Sequence, residues 1–230
     1  MVKEIFPGEE IEKCKVLRLD HMVIDYLDNF PNLKKFIILK GTNLILTESF
    51  GDLTNLEELY IYAPDSIIIP DSFGNLINLK KLKIELSGFT GSIMLPNSFR
   101  NLTKLESLKL GGHVCNKNDI FFYEYDMFPE NLKELMMTDF TCSDLRDFTE
   151  NLNLEKLCIY FPYVDTFPES IENFRNLREL NISYNEELKN IPNSIKNLKK
   201  LQLLDISGCK FSISELPNSI KKRKNIRISY

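Results

Sequence analysis

Asn176-Leu177-Arg178-Glu179-Leu180-Asn181-Ile182-Ser183-Tyr184-Asn185, followed through Leu188 by Ile191-Pro192-Asn193-Ser194-Ile195-Lys196-Asn197-Leu198, is the stretch that decides the fold. Its first half alternates apolar and polar residues with the period of two of a half-buried strand. Its second half changes rhythm. Ile195, Leu198 and the next unit's Leu201 recur every three residues behind Pro192, which suits the opening of a short helix or 3₁₀ turn.

The same sentence is written along almost the whole chain. Its first apolar residue recurs at Cys14, Leu33, Leu56, Leu79, Leu105, Leu132, Leu154, Leu177 and Leu201, with spacings of 19, 23, 23, 26, 27, 22, 23 and 24 residues. A truncated further copy starts at Ile226. Each anchor is followed three and five positions on by apolar residues, as in Leu56/Leu59/Ile61, Leu79/Leu82/Ile84, Leu154/Leu157/Ile159 and Leu201/Leu204/Ile206. One unit of strand, loop, helical turn and loop has too little apolar surface to bury by itself. The strands are therefore expected to stack in parallel over one continuous core, and nine of them about 4.8 Å apart would span about 40 Å.

These residues resemble the leucine-rich repeat family, in its intracellular subtype with a Leu-Pro-x-Ser-Ile-x-Asn-Leu segment. They are similar to repeats in plant resistance proteins and in Ras-pathway scaffold proteins. The resemblance runs from Cys14 to the C-terminus and implies an α/β horseshoe solenoid. A curved parallel sheet would line its concave face, and short helical or 3₁₀ turns its convex face. The expected organisation is a lead-in or cap over residues 1–13 and a repeat domain over 14–230. In the lead-in, Ile5, Phe6 and Ile11 are placed to cover the open end of the first strand.

The family usually has Asn, or sometimes Cys, five residues after the second of these apolar positions, where the side chain bonds neighbouring loops. Asn185 and Cys209 fit. Met22, Gly41, Pro64, Ser87, His113, Phe140 and Pro162 do not, so looser turns are expected in the first seven copies.

With 43% hydrophobic and 27% charged residues in 230, the composition is that of one soluble, elongated domain. A net charge of −4 argues against nucleic acid as partner, because phosphate binding needs a dominant basic field. No apolar run approaches the roughly 20 residues that span a bilayer, and Met1–Gly8 lacks the apolar centre of a secretory signal. Five cysteines with no Cys-x-x-Cys pair, and no disulfide-type cluster at either end, favour a reducing cytosol. The triplets Asn101-Leu102-Thr103 and Asn181-Ile182-Ser183 match the glycosylation acceptor but read as chance.

Chemistry is sparse. His21 and His113 lie about four repeats apart, and Cys115 beside His113 has no evident orienting group, so a hydrolase reading has little to stand on. His113 and Cys115 are too few to hold zinc, and Gly88–Ser92 lacks the Gly-Lys-[Ser/Thr] ending of a phosphate loop. Glu57-Glu58 and Glu186-Glu187 are expected to point to opposite faces and to make no acid/base dyad. No enzyme activity, metal or cofactor is expected.

What the resemblance implies is protein binding, at the outward strand positions. These are Arg18/Asp20, Ile37/Leu39, Tyr60/Tyr62, Lys83/Glu85, Lys109/Gly111, Met136/Thr138, Cys158/Tyr160, Asn181/Ser183 and Asp205/Ser207. The partner-contacting set is expected to be Tyr60, Tyr62, Lys83, Glu85, Lys109, Met136, Tyr160, Asn181 and Asp205. In it, Tyr60 flanks Lys83, Lys83 flanks Lys109, and the lysine pair offers itself to an acidic segment.

The aromatic and acidic stretch within 111–128 reads as filling an irregular repeat, with a partner-binding loop as the other reading. Lys221–Lys224 reads as a solvated face. The abrupt end at Ile226–Tyr230 admits self-association through a C-terminal edge. It also admits the alternative that these repeats are the sensing part of a larger receptor, kinase or ubiquitin ligase.

Overall fold

The computed structural model describes residues 15–19, 30–39, 44–62, 65–86, 92–116, 128–138, 153–160 and 165–230. Of residues 16–19, 92 and 113–116 it gives only the backbone. The lead-in over 1–13, most of the 111–128 stretch, and His21, Met22, Gly41, Pro64, Ser87, Phe140 and Pro162 lie outside the described residues.

In chain order the strands are β1 Val16–Leu19, β2 Lys35–Leu39, β3 Leu44–Ile45, β4 Glu58–Tyr62, β5 Ile67–Ile68, β6 Lys81–Glu85 and β7 Ser92–Leu95. They continue with β8 Ser107–Gly111, β9 His113–Asn116, β10 Glu134–Thr138, β11 Lys156–Ile159, β12 Glu179–Asn181, β13 Leu203–Asp205 and β14 Arg227–Ser229. Among the described residues, β1, β2, β4, β6, β8 and β10–β14 form one ten-stranded sheet in sequence order, every pair parallel. The truncated copy at Ile226 supplies β14, the tenth strand.

The periodic apolar residues turn inward. Leu59 and Ile61, Leu82 and Ile84, Leu108 and Leu110, Leu180 and Ile182, and Leu204 and Ile206 are all buried in one core that runs the length of the stack. Between strands the chain makes 3₁₀ turns over Glu48–Asp52, Asp71–Asn75, Asn97–Asn101, Glu169–Asn173 and Asn193–Asn197. Pro70, Pro96, Pro168 and Pro192 stand immediately before four of them with φ of −74°, −80°, −69° and −67°, the range their rings impose. From these turns Phe50, Phe73 and Phe99 enter the core and stack on one another at 5.9 and 6.2 Å, while Ile171, Ile195 and Ile220 fill the corresponding places later.

A second sheet, β3-β5-β7-β9, was not legible in the repeat pattern. It forms just before the 3₁₀ turns, where the second and third copies carry Leu44-Ile45 and Ile67-Ile68, residues that favour extended backbone. Where that place is taken by Thr166 and Asn190 it shrinks to a single bridge between them.

Candidate functional site

Strand alternation and parallel register put three outward columns on the ten-stranded sheet. The middle column reads Ile37, Tyr60, Lys83, Lys109, Met136, Cys158, Asn181 and Asp205, each beside the next. Tyr60 therefore flanks Lys83 and Lys83 flanks Lys109, as the spacing implied. All eight are half-buried, the exposure of side chains on the hollow side of a bend. Arg18 is in register with Ile37, and Asp20 lies outside the described residues.

Each of the two lysines has a carboxylate neighbour of its own. Lys83 Nζ lies 2.8 Å from Glu85, and Lys109 Nζ lies 3.1 Å from Glu134. The bond to Glu85 raises the Lys83 pKa. At Glu134 burial pushes the carboxyl pKa up, but hydrogen bonds from Ser107 and Lys109 outweigh it and leave it below the usual range. Asn181 and Asp205 are likewise occupied. Each Oδ1 accepts from the backbone N–H and the hydroxyl of the serine two residues on, Ser183 and Ser207, at 2.6–3.0 Å. These side chains fasten strand ends.

The aromatic members are different. Ile37 and Leu39 sit in register with Tyr60 and Tyr62, giving a two-by-two block of half-exposed apolar surface. The two tyrosine rings are parallel within 7°, their centroids 6.5 Å apart. Lys35 Nζ lies 4.8 Å from the Tyr60 ring centroid and Lys83 Nζ 5.1 Å from that of Tyr62. Tyr60 donates its hydroxyl to Glu58 at 3.2 Å. Burial, and next Glu58, raise the Tyr60 pKa, so the phenol stays a neutral donor. Further along, Met136, Cys158 and Tyr160 make a smaller soft patch, and burial pushes the Cys158 thiol pKa up, which keeps it from nucleophilic thiolate chemistry.

Lys35 and Glu58 lie one position ahead of the first inward strand residue, Phe36 and Leu59, outside the two outward positions that follow it. The alternation extends one residue earlier and gives a third column: Lys35, Glu58, Lys81, Ser107, Glu134, Lys156, Glu179. Lys35 and Lys81 both pair with Glu58, at 2.9 and 3.1 Å, and Lys156 pairs with Glu179 at 2.9 Å. One position earlier still, at the corner before the strand, Lys34, Glu57, Lys80, Glu106, Lys133, Glu155 and Arg178 alternate in sign repeat by repeat. Ion pairs Lys34–Glu57, Lys80–Glu57, Lys133–Glu106 and Arg178–Glu155 follow at 2.6, 2.7, 2.9 and 3.4 Å. Glu57 and Glu58 do not point to opposite faces as expected. The ladder starts only at Glu58, so both carboxylates reach solvent and each takes two lysines. Like charges stacked in register would repel, and alternation avoids that.

Residues 164–211 match the family described as Leucine rich repeat. That match covers 48 of the 230 residues, and the stacked parallel strands above have the fold of a leucine-rich-repeat solenoid. Among solved structures, the leucine-rich repeat domain of the type III effector XopL superposes with a TM-score of 0.72 at 21% identity, covering 94% of this chain and 75% of that one. TLR13 in its complex with ssRNA13 gives 0.69 at 20% identity, over 98% of this chain and 33% of that one. The ectodomain of the Arabidopsis thaliana receptor kinase GASSHO1/SCHENGEN3, in complex with CASPARIAN STRIP INTEGRITY FACTOR 2, gives 0.61 at 19% identity, over 97% and 28%. The chain thus spans only 33% and 28% of the length of the last two. Comparison with curated proteins yields no match. Among the described residues, no helix is long and apolar enough to cross a membrane.

Proposed function

We propose that this chain is a non-enzymatic recognition module that docks a protein partner on its concave sheet, anchored at Ile37, Leu39, Tyr60 and Tyr62. The observation that carries this is the ring pair. Two parallel tyrosines, braced by Lys35, Lys83 and Glu58, present fixed amphipathic area that loses little side-chain freedom on binding. Because the surrounding charges are spent on one another, the partner's contact at this block is apolar and aromatic rather than acidic. Lys83 and Glu85 frame the block, Lys109 holds the boundary to Met136, and Tyr160 offers a secondary contact. Free thiols at Cys158 and Cys209 fit a cytosolic setting.

A second reading, that these repeats are the recognition part of a longer signalling protein, draws support from the partial coverage of the last two structures above.

The test is affinity capture with the wild type and with Tyr60→Ala/Tyr62→Ala. Removal of two anchors of this kind should lower partner affinity by roughly 30-fold or more, with circular dichroism and melting unchanged. Undiminished capture of the same partner by the double variant moves the site elsewhere.

A further inference from the structure

We propose that the last two repeats carry, on their convex turns, a docking surface for an anionic lipid membrane, separate from the concave protein site. Charge along this chain is segregated. Residues 189–230 hold ten Lys and Arg against two Asp and Glu, a balance of +8, so the total of −4 leaves −12 for residues 1–188.

The cations are stacked like on like, against the sign alternation of the column that precedes the strands. The helical turn Asn218–Lys221 packs on the 3₁₀ turn Asn193–Asn197, and the matching Asn-Ser-Ile-Lys sequences set Lys221 beside Lys196. Arg223 fixes the next step. Its guanidinium donates to the carbonyls of Leu198, Lys199 and Leu201 at 2.7, 3.0 and 3.2 Å, which holds Lys224 next to Lys199. Arg175 occupies the corresponding place one repeat earlier. Arg175, Lys196, Lys199, Lys221, Lys222 and Lys224 are exposed, and none makes an ion pair among the described residues. Glu172, the carboxylate in the Lys196 column, instead accepts from Asn197 Nδ2 at 2.6 Å.

Such a stack is self-repelling unless an anionic surface covers it. The distribution favours a plane over a strand. A nucleic-acid strand tracking the solenoid needs cations along its path, but those of the concave sheet are neutralised in place. A planar anionic surface needs them only at one end, and it repels the acidic remainder, so the molecule is oriented end-on. The absence of a spanning helix among the described residues makes this a surface contact.

The experiment is sedimentation of the full chain with phosphatidylcholine vesicles, with and without phosphatidylserine. Expected is phosphatidylserine-dependent binding that is lost at high salt. Lys199→Gln/Lys224→Gln should weaken it roughly 25-fold, at about fivefold per lysine. Lys34→Gln/Lys133→Gln, which removes two lysines already paired, should leave it unchanged, and melting curves confirm that both variants fold. No binding, equal binding to pure phosphatidylcholine, or equal losses in the two variants overturns the proposal. So does tighter binding to a single-stranded oligonucleotide or a polyglutamate peptide at matched anion concentration, which would make the surface a nucleic-acid or protein site.

Discussion

Asn185, wholly buried, donates its side-chain amide to the carbonyl of Ile159 one repeat earlier, at 2.9 Å. The same Nδ2 lies 2.7 Å from the carbonyl of Ile182, which Cys209 Sγ also approaches at 3.1 Å from the following repeat. Three repeats are stitched through one turn. Replacing Asn185 by Leu leaves the Ile159 carbonyl buried without that donor, so the loss should be about 1–3 kcal/mol. It would be read as a lower urea midpoint at unchanged slope. An unshifted midpoint would refute the ladder's role.

Gly74 should reject even a methyl group. A Cβ placed there would stand 2.6 Å from the Ser98 carbonyl oxygen and 2.7 Å from Ser98 Cβ, because adjacent 3₁₀ turns touch at this point. In a permissive site Gly→Ala stabilises by about 0.4–1 kcal/mol through the unfolded chain. Here the sign should reverse, with Gly74→Ala costing about 1–3 kcal/mol by overpacking. Thermal melting of the variant settles the sign.

Equivalent serines should behave differently. Ser98 Oγ donates to the Asp71 carbonyl at 2.6 Å, so Ser98→Ala should cost about 0.5–1.5 kcal/mol. Ser194 Oγ is buried without a hydrogen-bond partner, so Ser194→Ala should be neutral or stabilising. Paired denaturation curves test the contrast, and equal losses at both sites would contradict it.

Acid should uncouple the outer charge column. Hydrogen bonds from Lys34 and Lys80 lower the Glu57 pKa from 4.5 to about 2. A depressed carboxylate stabilises the fold fully above its unfolded pKa and loses that contribution as pH falls through the folded one. The difference in urea midpoint between wild type and Glu57→Gln should therefore be present at pH 7, shrink between about 4.5 and 2, and be smaller in high salt, since the site is exposed. A difference that persists at pH 2 would point to a cause other than ionisation.

The concave face was only partly legible. Tyr60 and Tyr62 declare themselves by alternation, but whether Lys83 and Lys109 stand free depended on Glu85 and Glu134. The sign alternation of Lys34, Glu57, Lys80 and Glu106 was visible in principle, by reading down the residue after each anchor. A further ladder could be found the same way. Asn55, Asn78 and Asn131 donate to the carbonyls of Pro31, Thr54 and Thr103 at 2.8–2.9 Å, at the corner opposite Asn185.

The amino-acid sequence by itself determined the parallel stack, its inward leucines and its proline-led helical turns, because period two, period three and a fixed φ are local properties that recur from copy to copy. Only the tertiary structure decided which lysines are neutralised, where a second sheet forms and which carbonyls Asn185 satisfies. Apart from Lys83, which pairs with Glu85 two residues on, and the Ile182 carbonyl three residues before Asn185, those depend on neighbours 21 to 27 positions away. The register of the stack brings them within a few ångströms.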